Sequence, residues 1–547
     1  MLAAEGNGAS VLTETLAAAG VRTVFSLSGN QIMPVYDACI DSGIRIVHVR
    51  HEAAAVAMAD AHAQLTGEIG VALVTAAPGF ANALSPLYSA RAAESPVLLL
   101  SGDSPVEQDG NGAFQELQQN AVAAPLVKAS LRPLKARDLA PMTAQAIRLS
   151  RSGRKGPVHM ALPFDALNAR DAQAFDGDAL AFEPVPISMS DEDVRKIGEL
   201  LDGAERPLVL LGPQFNESRE MKRVKSLADA LNAPAIAMES PRGLRDPSLG
   251  AFAEVVAEAD LIILLGKTVD FTLGFLKQGV IAADADIVVI DPEHEAIDRA
   301  RTLCGSRVRC SVRADVASAV DGLSSLSRAH KSPEWREVVA EAIAFRQRPQ
   351  VETSDLHPIA VCDAVAAVLR EADEPILICD GGEFGQWAQA FCNAPVRVIN
   401  GPSGAIGNGL SYAIAAKLAR PKATVIAMMG DGTAGFHLAE FETAAREDAA
   451  IIAVVGNDSC WNAEHQIQLR DFGPERLIGC TLSSRVRYDQ AVEGLGCQGI
   501  YVERPKALSG ALHEAVNGAR PALVNVIMAG APAPVFSRTD NAAPSAH

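Results

Sequence analysis

Acidic side chains follow two apolar runs in the last third of the chain. Asp431 stands between two glycines directly after the run 423–429, and Asp458 follows the next run, which begins at 451. Because parallel strands end at one edge of an open sheet, these two carboxylates can converge where ligands bind. Carboxylate oxygens suit Mg²⁺, and glycines beside Asp431 let a phosphate approach the backbone. The pattern therefore predicts a magnesium–diphosphate site.

A third acidic residue opens a predicted helix in the first part of the chain. His51-Glu52 follows the apolar segment 44–49 and precedes an alanine-rich helix predicted over 53–65. A first-turn carboxylate is favoured by the helix dipole by about 0.3–1 kcal/mol, so one interpretation of Glu52 is purely structural. Small and polar residues at the next turns, including Gly79 and Asn82, favour a functional role instead.

The elements that must position these acids alternate along the chain. Short apolar runs alternate with helical stretches, which is typical of parallel sheets covered by helices on both faces. The sequence predicts an α/β fold of three doubly wound parallel-sheet domains, over 1–167, 190–345 and 358–547, joined by linkers at 168–190 and 346–358. The predicted strands are 70–75, 96–100, 157–162, 207–211, 235–238, 261–265, 287–290, 375–379, 396–399, 424–428, 451–455 and 523–527.

Composition narrows the class of protein. The chain has 547 residues, of which 48% are hydrophobic and 21% charged, as in globular proteins of several domains. Its net charge of −18 argues against nucleic acid or an anionic membrane surface as a partner. Nine scattered cysteines fit a reducing compartment. We find no leader-like segment and no membrane-spanning run, and expect a cytoplasmic protein.

The ordered motifs resemble one enzyme family. The segment 29–37, Glu52, the triplet Phe-Gln-Glu at 114–116 and the Gly-Asp-Gly at 430–432 are similar to thiamine-diphosphate enzymes of the acetolactate synthase type. Benzaldehyde lyase, 2-hydroxyacyl-CoA lyase and sulfoacetaldehyde acetyltransferase are further relatives. The resemblance covers the entire length and implies pyrimidine-binding, central and diphosphate-binding domains. The chain departs from the family at Asp458, 27 positions after Asp431, where Asn is usual.

The resemblance implies a set of site residues. Glu52 and Gln115 are the expected catalytic residues, and Glu52 contacts the aminopyrimidine ring of thiamine diphosphate. Mg²⁺ is expected on Asp431, Asp458 and the Cys460 carbonyl, with Asn457 as the alternative to Asp458. The cofactor is expected on Gly430, Gly432, Thr433, Ala434 and Ile406, with Thr433 and Ala434 opening the next helix, and the substrate pocket on Gln31, Phe114, Trp461 and Gln466.

Some of these assignments have alternatives. A core isoleucine fits position 406 equally well, and a surface amphipathic helix can explain Trp461 and Gln466. The central domain is similar to the fold that holds FAD in acetolactate synthases, so FAD is a possible second cofactor. The central domain lacks a GxGxxG fingerprint, so the sequence supports neither FAD nor NAD there. The missing fingerprint and the three-block length together argue against a Rossmann dehydrogenase.

The resemblance implies an enzyme that makes or breaks a C–C bond beside a carbonyl. The leading hypothesis is acetolactate synthase-like decarboxylation of a 2-oxo acid with carboligation. The alternative is a 2-hydroxyacyl-CoA or benzaldehyde-type lyase that releases no CO₂. A third hypothesis is an inactive regulatory or scaffold paralogue, against which the intact acids argue. In this family the active site lies between subunits, so we expect a dimer or tetramer that acts on a small carbonyl substrate.

Overall fold

The computed structural model describes residues 6–172, 175–215, 217–326, 333–351 and 356–538. Within these residues the chain forms three sheets of parallel strands, separated by helices. The strands of the three sheets fall inside 1–167, 190–345 and 358–547, although the exact domain boundaries stay predictions. The ends at 1–5 and 539–547 and the linker residues 173–174 and 352–355 lie outside the described residues.

The first sheet consists of β1 (Thr23–Ser26), β2 (Arg45–His48), β3 (Gly70–Val74), β4 (Val97–Asp103), β5 (Ser130–Leu131) and β6 (Val158–Pro163). Its strands lie in the order β2-β1-β3-β4-β6-β5. The accompanying helices are α1 (Gly8–Ala18), α2 (Met33–Asp41), α3 (Glu52–Thr66), α4 (Pro78–Asn82), α5 (Leu84–Ala92), α6 (Gln119–Ala123), α7 (Leu139–Arg151) and α8 (Phe164–Asn168).

The second sheet consists of β7 (Pro207–Leu211), β8 (Ala235–Ala237), β9 (Leu261–Leu265), β10 (Asp286–Asp291) and β11 (Val308–Arg313), in the order β11-β10-β9-β7-β8. Its helices are α9 (Asp191–Gly203), α10 (Glu217–Leu231), α11 (Phe252–Val256), α12 (His294–Cys304), α13 (Val316–Ser324) and α14 (Pro333–Ala344).

The third sheet consists of β12 (Pro375–Cys379), β13 (Val396–Ile399), β14 (Thr424–Gly430), β15 (Ile452–Asn457), β16 (Gln498–Val502) and β17 (Ala522–Ile527). Its order, β13-β12-β14-β15-β17-β16, repeats that of the first sheet. The helices are α15 (Pro358–Glu371), α16 (Gly382–Phe391), α17 (Gly409–Ala419), α18 (Asp431–Ala434), α19 (Glu440–Arg446), α20 (Asn462–Phe472), α21 (Tyr488–Glu493) and α22 (Pro505–Asn517).

Alternate residues of the inner strands pack into separate cores on the two sides of each sheet. In β14, Val425 and Ala427 lie in one hydrophobic core, whereas Ile426 and Met428 lie in the other. The same alternation occurs in β3 and in β7. A strand buried on both faces is typical of an α/β sheet with helices on both sides. The predicted doubly wound fold is therefore confirmed.

Every strand predicted from an apolar run is present, and the strand-like segment 44–49 contains β2, but four further strands were not predicted. These are β1, β5, β11 and β16. In β11 the outward-facing positions include Arg309 and Arg313, and β16 contains a glycine and the exposed Tyr501. β5 has only two residues. Such strands lack the uninterrupted apolar run on which the prediction depended.

The first and third domains share one hydrophobic core. Residues of α3, such as Val56 and Met58, belong to the same buried cluster as Tyr412 and Ile414 of α17. The two helices pack directly against each other. α3 follows β2 and α17 follows β13, so the pair joins the edges that bear the predicted site residues. Among the described residues, no helix is long and apolar enough to cross a membrane.

Candidate active site

Glu52 is the first residue of α3 and lies buried at the carboxyl edge of the first sheet. Its predecessor His51 caps the helix, because the His51 Nδ1 atom accepts a hydrogen bond from the Ala53 amide at 3.1 Å. Glu52 itself is only 8% exposed, and its Oε2 atom accepts a hydrogen bond from Asn82 at 3.0 Å. A Cβ atom at Gly79 would lie 3.2 Å from the other carboxylate oxygen. A glycine therefore allows α4 to approach this acid.

Gln31 and Gln115 meet next to this acid. The Gln31 amide donates to the Gln115 side-chain oxygen at 2.8 Å, and Thr75 donates to Gln31 at 2.7 Å. Gln115 has a φ of +60°, a left-handed conformation that is strained for a residue with a side chain. Thr75 also contacts the Gly79 position. These contacts place Gln31, Gln115 and Glu52 along one edge of the first domain.

The loop that carries Gln115 is organised by its neighbour Glu116. This carboxylate accepts hydrogen bonds from the amides of Gly110, Gly112 and Ala113, at 2.6, 2.9 and 3.1 Å. Phe114 in the same loop is 73% exposed. In the single chain Phe114 therefore lies at the surface of the first domain beside Gln115.

Asp431 and Asp458 lie at the ends of the neighbouring strands β14 and β15. Burial raises the pKa of Asp431 to about 6, although hydrogen bonds from the backbone amides of Gly432, Ser459 and Cys460 oppose the shift. Burial and the negative charge of Asp431 raise the pKa of Asp458 to about 7. The next charge that acts on Asp458 is Glu383, another carboxylate. Within the described part of the chain, this acid pair has no protein cation to neutralise it.

Around the acid pair, few further protein groups are free to bind a metal ion. The Cys460 amide donates to Asp458 at 3.1 Å, whereas no hydrogen bond of the described backbone ends on the Cys460 carbonyl. Asn457 is turned to the protein, because it donates to Asn525 at 3.1 Å and accepts from the Ser459 amide at 3.2 Å. The described residues hold no group of three or more His, Cys, Asp or Glu side chains placed to bind a metal.

The glycine turn differs in one detail from the prediction. The helix after it, α18, begins at Asp431 and ends at Ala434, so Thr433 and Ala434 close this helix rather than open it. Gly430 is the last residue of β14, and Thr433 donates its hydroxyl hydrogen to the Gly430 carbonyl at 2.8 Å. The sequence alone does not show that the acid itself takes up the first helical position.

Gly432 and Ile406 each lie in close contact with a neighbouring residue. A Cβ atom at Gly432 would lie 2.6 Å from the Trp461 ring, so this turn is open only to glycine. Ile406 packs on the backbone of Gly381, where a Cβ atom would lie 2.1 Å from its Cγ2 atom. Ile406 is half-buried, as expected of a side chain at the edge of a pocket rather than in a core. Trp461 also makes an edge contact with Phe436, 6.2 Å between ring centroids.

Asp380 holds the loop that carries Ile406. This buried carboxylate accepts hydrogen bonds from Asn400 at 2.7 Å and from the amides of Gly407 and Gly409 at 3.0 and 2.8 Å. The sequence analysis missed Asp380, although a signal was present. Asp380 follows the apolar run 375–379 and precedes two glycines, the same pattern that identified Asp431.

Gln466 lies on α20, a helix without buried residues. Its side chain donates to Asn462 at 3.0 Å, and Asn462 in turn donates to the Ala531 carbonyl at 3.0 Å. Trp461 precedes this helix and contacts the turn at Gly432. In the single chain, therefore, Trp461 adjoins the acid pair, whereas Gln466 lies on an exposed helix beside it.

Within the described part of one chain, the two groups of site residues make no direct polar contact with each other. Among the described residues, no hydrogen bond or ion pair joins Glu52 to Asp431, Asp458 or Cys460. The domains do meet just before Glu52. The Arg50 amide donates to Glu440 at 2.9 Å, and the rings of His51 and His437 lie 5.7 Å apart.

The central domain offers no open cradle for a dinucleotide at its sheet edge. Such a ligand would bind where the strand order reverses, between β7 and β9. There a Cβ atom at Gly212 would lie 2.4 Å from the Gly266 carbonyl oxygen. Beside it, Arg154 of the first domain forms ion pairs with the buried Glu94 and Asp291. These contacts fill this point of the sheet edge with protein groups.

Comparisons with known proteins agree with this architecture. The thiamine pyrophosphate enzyme N-terminal, central and C-terminal domains match residues 6–122, 194–323 and 380–526. The chain is 29% identical over 530 residues to the acetolactate synthase large subunit IlvG of Mycobacterium tuberculosis, covering 94% of this chain and 95% of that protein. It is 30% identical over 583 residues to 2-hydroxyacyl-CoA lyase 2 of Homo sapiens, covering 95% and 90%.

These matches extend over all three sheets and both groups of acids. Each matched range lies inside one of the predicted domains, and the C-terminal range contains Asp431 and Asp458. The chain therefore belongs to the thiamine pyrophosphate enzyme family, as an acetolactate synthase-like enzyme that depends on thiamine diphosphate to form or cleave a C–C bond.

Proposed function

We propose that this enzyme acts on a small 2-oxo acid, which it decarboxylates and joins to a second carbonyl compound, as an acetolactate synthase does. The acid pair Asp431 and Asp458 carries the cofactor part of the proposal, and the similarity to acetolactate synthases supports the reaction. Two buried carboxylates at neighbouring strand ends repel each other, and a divalent cation reverses that repulsion. A cation at this position can hold a diphosphate against the glycine turn, which is what the cofactor of this family requires.

The proposed cation is Mg²⁺, held by Asp431, Asp458 and the Cys460 carbonyl. Mg²⁺ keeps several water or phosphate ligands and needs only one or two carboxylates from the protein. The absence of a larger ligand group among the described residues agrees with this choice. We assign Asp458 rather than Asn457 as the ligand, because both ends of the Asn457 amide are engaged by protein groups.

The proposed cofactor cradle is formed by Gly430, Gly432, Thr433 and Ala434 for the diphosphate and by Ile406 for the rings. The close contact at Gly432 agrees with a turn whose backbone lies next to the diphosphate. The packing of Ile406 on Gly381 agrees with a side chain that is held rigidly under the cofactor rings. When bound, thiamine diphosphate supplies a carbon nucleophile that adds to a carbonyl carbon.

Glu52 is the proposed catalytic acid. It lies at a helix N-terminus, shielded from water, and Asn82 fixes the direction of its carboxylate. A carboxyl group held in this way can donate a hydrogen bond to a ring nitrogen or accept one from it without reorganising, which is the requirement for proton transfer at the aminopyrimidine. Gln115, held by Gln31, is placed to orient the substrate carbonyl beside Glu52. We propose Gln31, Phe114, Trp461 and Gln466 as the remaining pocket residues.

We further propose that two chains assemble so that Glu52 of one faces the acid pair of the other. Large apolar side chains that are exposed beside both groups support this arrangement. Phe114 is 73% exposed in the first domain, and Phe436 and Phe472 are 52% and 62% exposed in the third. Exposed patches of this kind are typical of subunit interfaces.

A lyase is the second candidate function. Relatives named 2-hydroxyacyl-CoA lyase 2, for example in Homo sapiens and Xenopus laevis, are 30% and 31% identical to this chain. Such a reaction cleaves a C–C bond beside a carbonyl without loss of CO₂. Residue types in the pocket do not separate the two candidates, because both need the same acid and the same cofactor.

Calorimetry of the cofactor-stripped protein tests the proposal. We expect thiamine diphosphate to bind in the micromolar range with Mg²⁺ and much more weakly without it, and Asp431→Asn to abolish the effect of Mg²⁺. Equal binding with and without Mg²⁺ would contradict the assigned cation site. Released CO₂ then separates the candidates. Pyruvate should give CO₂ and a hydroxy-keto acid, whereas a lyase cleaves a 2-hydroxyacyl-CoA and releases none.

A further inference from the structure

Three buried polar side chains connect the end of β15 to the start of α21. Asn457 of β15 donates its amide hydrogen to Asn525 Oδ1 at 3.1 Å, and Asn525 of β17 donates to Asp489 Oδ1 at 3.0 Å. Asn525 has no exposed surface, and Asn457 and Asp489 are each 4% exposed. Asp489 lies in the first turn of α21. We call this chain of hydrogen bonds the Asp489 relay.

The carboxylate at one end fixes the direction of the relay. An ionised carboxylate only accepts hydrogen bonds, whereas an Asn amide has one accepting and one donating end. Asn525 must therefore turn its NH₂ group to Asp489, which leaves its oxygen for Asn457. Asn457 must in turn donate its NH₂ group to Asn525. Its own oxygen then faces the Ser459 amide, from which it accepts a hydrogen bond at 3.2 Å.

Arg487 keeps Asp489 in the ionised form that this direction requires. Its guanidinium donates to both carboxylate oxygens of Asp489, at 3.1 and 2.5 Å, and lies over the Tyr501 ring at 4.2 Å. Burial alone would raise the pKa of Asp489, but hydrogen bonds from Arg487 and Asn525 outweigh burial and lower the pKa. Asp489 is therefore an acceptor at neutral pH.

The other end of the relay holds the turn that carries Asp458. Ser459 in this turn has a φ of +57°, a left-handed conformation that is unfavourable for a residue with a side chain. The Asn457 oxygen holds the amide of this residue in place. The next amide, of Cys460, donates to Asp458 at 3.1 Å. The turn therefore places both Asp458 and the Cys460 carbonyl.

The residue beside Asp489 holds the other acid. The Tyr488 hydroxyl donates to the Asp431 carbonyl oxygen at 3.0 Å, and Tyr488 is 8% exposed. Two adjacent residues at the start of α21 thus reach the ends of both β14 and β15. Asp431 and Asp458 raise each other's cost of ionisation, so without a cation their turns tend to move apart. Contacts from one rigid helix oppose that movement.

We propose that Tyr488 and Asp489 are positioning residues of the cation site, and that the Asp489 relay turns the Asn457 oxygen into the protein and so leaves position 458 to bind the cation. The inference rests on the proposed cation site at Asp431 and Asp458. Tyr488 and Asp489 act through the Asp431 backbone and through Asn525, so neither is a catalytic residue. Groups that orient metal ligands in this way commonly matter for metal affinity.

The test variant is Asp489→Asn, which keeps the size of the side chain and removes its charge. Arg487 attracts the one remaining oxygen, so the new NH₂ group faces Asn525 and the relay reverses. Asn457 then turns its NH₂ group to the Ser459 amide, which loses an acceptor. In the cofactor-free protein, hydrogen exchange measured by mass spectrometry over 457–460 should become about fivefold faster. The Mg²⁺ concentration that half-saturates thiamine diphosphate binding should rise about 10-fold.

A second substitution should rescue this variant. In Asp489→Asn combined with Arg487→Met, no guanidinium attracts the new oxygen, which can again accept from Asn525. Exchange over 457–460 should return to within about twofold of the wild-type rate. Rescue by removal of a further hydrogen-bonding residue is not expected if the relay only adds stability. If Asp489→Asn fails to fold, Tyr488→Phe is the second variant and should give about fivefold faster exchange over 430–433.

Ser101→Ala is the matched control. Ser101 of β4 bonds to the buried His159 of β6 at 2.8 Å, and these strands occupy the places of β15 and β17 in the first sheet. The control therefore removes a buried polar contact between corresponding strands in the other domain. It should lower the melting temperature and leave both the exchange over 457–460 and the Mg²⁺ dependence unchanged.

Three results would contradict the inference or the proposal on which it rests. If Asp489→Asn exchanges over 457–460 at the wild-type rate, or if Ser101→Ala accelerates that exchange equally, the relay does not hold the turn and the inference is wrong. If exchange responds as expected but the Mg²⁺ dependence does not, the relay holds the turn without serving the cation, and the inference is again wrong. If the wild-type protein binds no thiamine diphosphate with Mg²⁺, the proposed cation site itself fails, whatever the exchange rates show.

Discussion

The first and third domains have the same strand order, but the acids at the ends of two corresponding strands have opposite surroundings. Asp103 ends β4, and Asp458 follows β15, which occupies the same place in its sheet. Asp103 is ion-paired with Arg132 at 2.6 Å and accepts a hydrogen bond from Gln119 at 3.1 Å. Asp458 forms no ion pair among the described residues, and the leading charges that raise its pKa are the carboxylates Asp431 and Glu383. The first domain supplies its own cation for this acid, whereas we propose that the third domain binds one from solution.

The contrast extends to the rest of both edges. Beside Glu52 the first domain presents neutral amides, Gln31, Asn82 and Gln115, which can orient an acid without changing its charge. The third domain presents two carboxylates and a glycine turn. Neutral hydrogen-bonding groups suit proton transfer to an aromatic ring, and clustered carboxylates suit a divalent cation. One fold therefore presents chemically different strand ends, which agree with the two roles proposed above.

The largest expected effect comes from Glu52→Gln, which tests the proton-transfer half of this contrast. The amide keeps the size of the side chain but cannot exchange a proton, so C2 proton exchange of bound thiamine diphosphate should slow by about 10²- to 10⁴-fold. Cofactor affinity should stay nearly unchanged. Exchange is measured by NMR in deuterium oxide. Glu440→Gln is the control, because Glu440 is a buried acid that accepts a hydrogen bond from the Arg50 amide. In this variant the C2 proton of bound thiamine diphosphate should exchange as fast as in the wild-type enzyme. Equal slowing in both variants would contradict the role of Glu52.

The cation half of the contrast is tested by Asp431→Asn. Asp431 belongs to the Gly-Asp-Gly motif of the family, whereas Asn is usual at position 458, so loss of the Asp431 carboxylate should weaken Mg²⁺-dependent binding of thiamine diphosphate by at least about 10- to 100-fold. Titration calorimetry at several Mg²⁺ concentrations measures the change. Asp103→Asn is the matched control, because it removes the corresponding acid of the first domain and should leave the Mg²⁺ dependence intact. A similar loss in both variants would show that the effect is not specific to the acid pair.

The same two variants should differ in stability when no cofactor is present. Asp103→Asn weakens a buried ion pair and should lower the apparent melting temperature by about 2–4 °C, as expected for a loss near 1 kcal/mol in a large domain. Asp431→Asn relieves repulsion between buried carboxylates, so the melting temperature should stay the same or rise. Thermal melts of cofactor-free protein measure both. A fall in both variants would mean that the acid pair is neutralised within the protein.

Sequence reasoning found the parts of the site that local patterns specify. Asp431 follows an apolar run and stands between glycines, and Glu52 opens an alanine-rich helix, so their elements could be predicted from neighbouring residues. The sheet was also predictable where strands are buried on both faces, as in β14. Edge strands such as β5 and β16 were not, because they are short or half exposed.

Contacts between distant segments were not predictable from one sequence. Asn82 and Glu52 are 30 positions apart, and Asp60 and Tyr412 are 352 positions apart. Neither residue type nor spacing indicates which acid will meet which donor across that distance. The ion pair of Asp103 with Arg132 was missed for the same reason, so the sequence alone could not show that Asp103 is paired with a cation while Asp458 forms no ion pair among the described residues.

The smallest effect is expected from Asp458→Asn, which restores the residue that is usual in this family. The amide oxygen can still bind Mg²⁺, whereas the loss of one negative charge lowers the attraction for the cation and the repulsion from Asp431 together. The two changes oppose each other, so Mg²⁺-dependent cofactor affinity should change by less than about fivefold.

Asn457→Asp, at the neighbouring position, is the matched variant for calorimetry. Because the Asn457 side chain is bonded to Asn525 and to the Ser459 amide, it should disturb β15 and β17 rather than strengthen Mg²⁺ binding. If Asn457→Asp binds Mg²⁺ more strongly and Asp458→Asn still binds it, the metal ligand lies at position 457 instead.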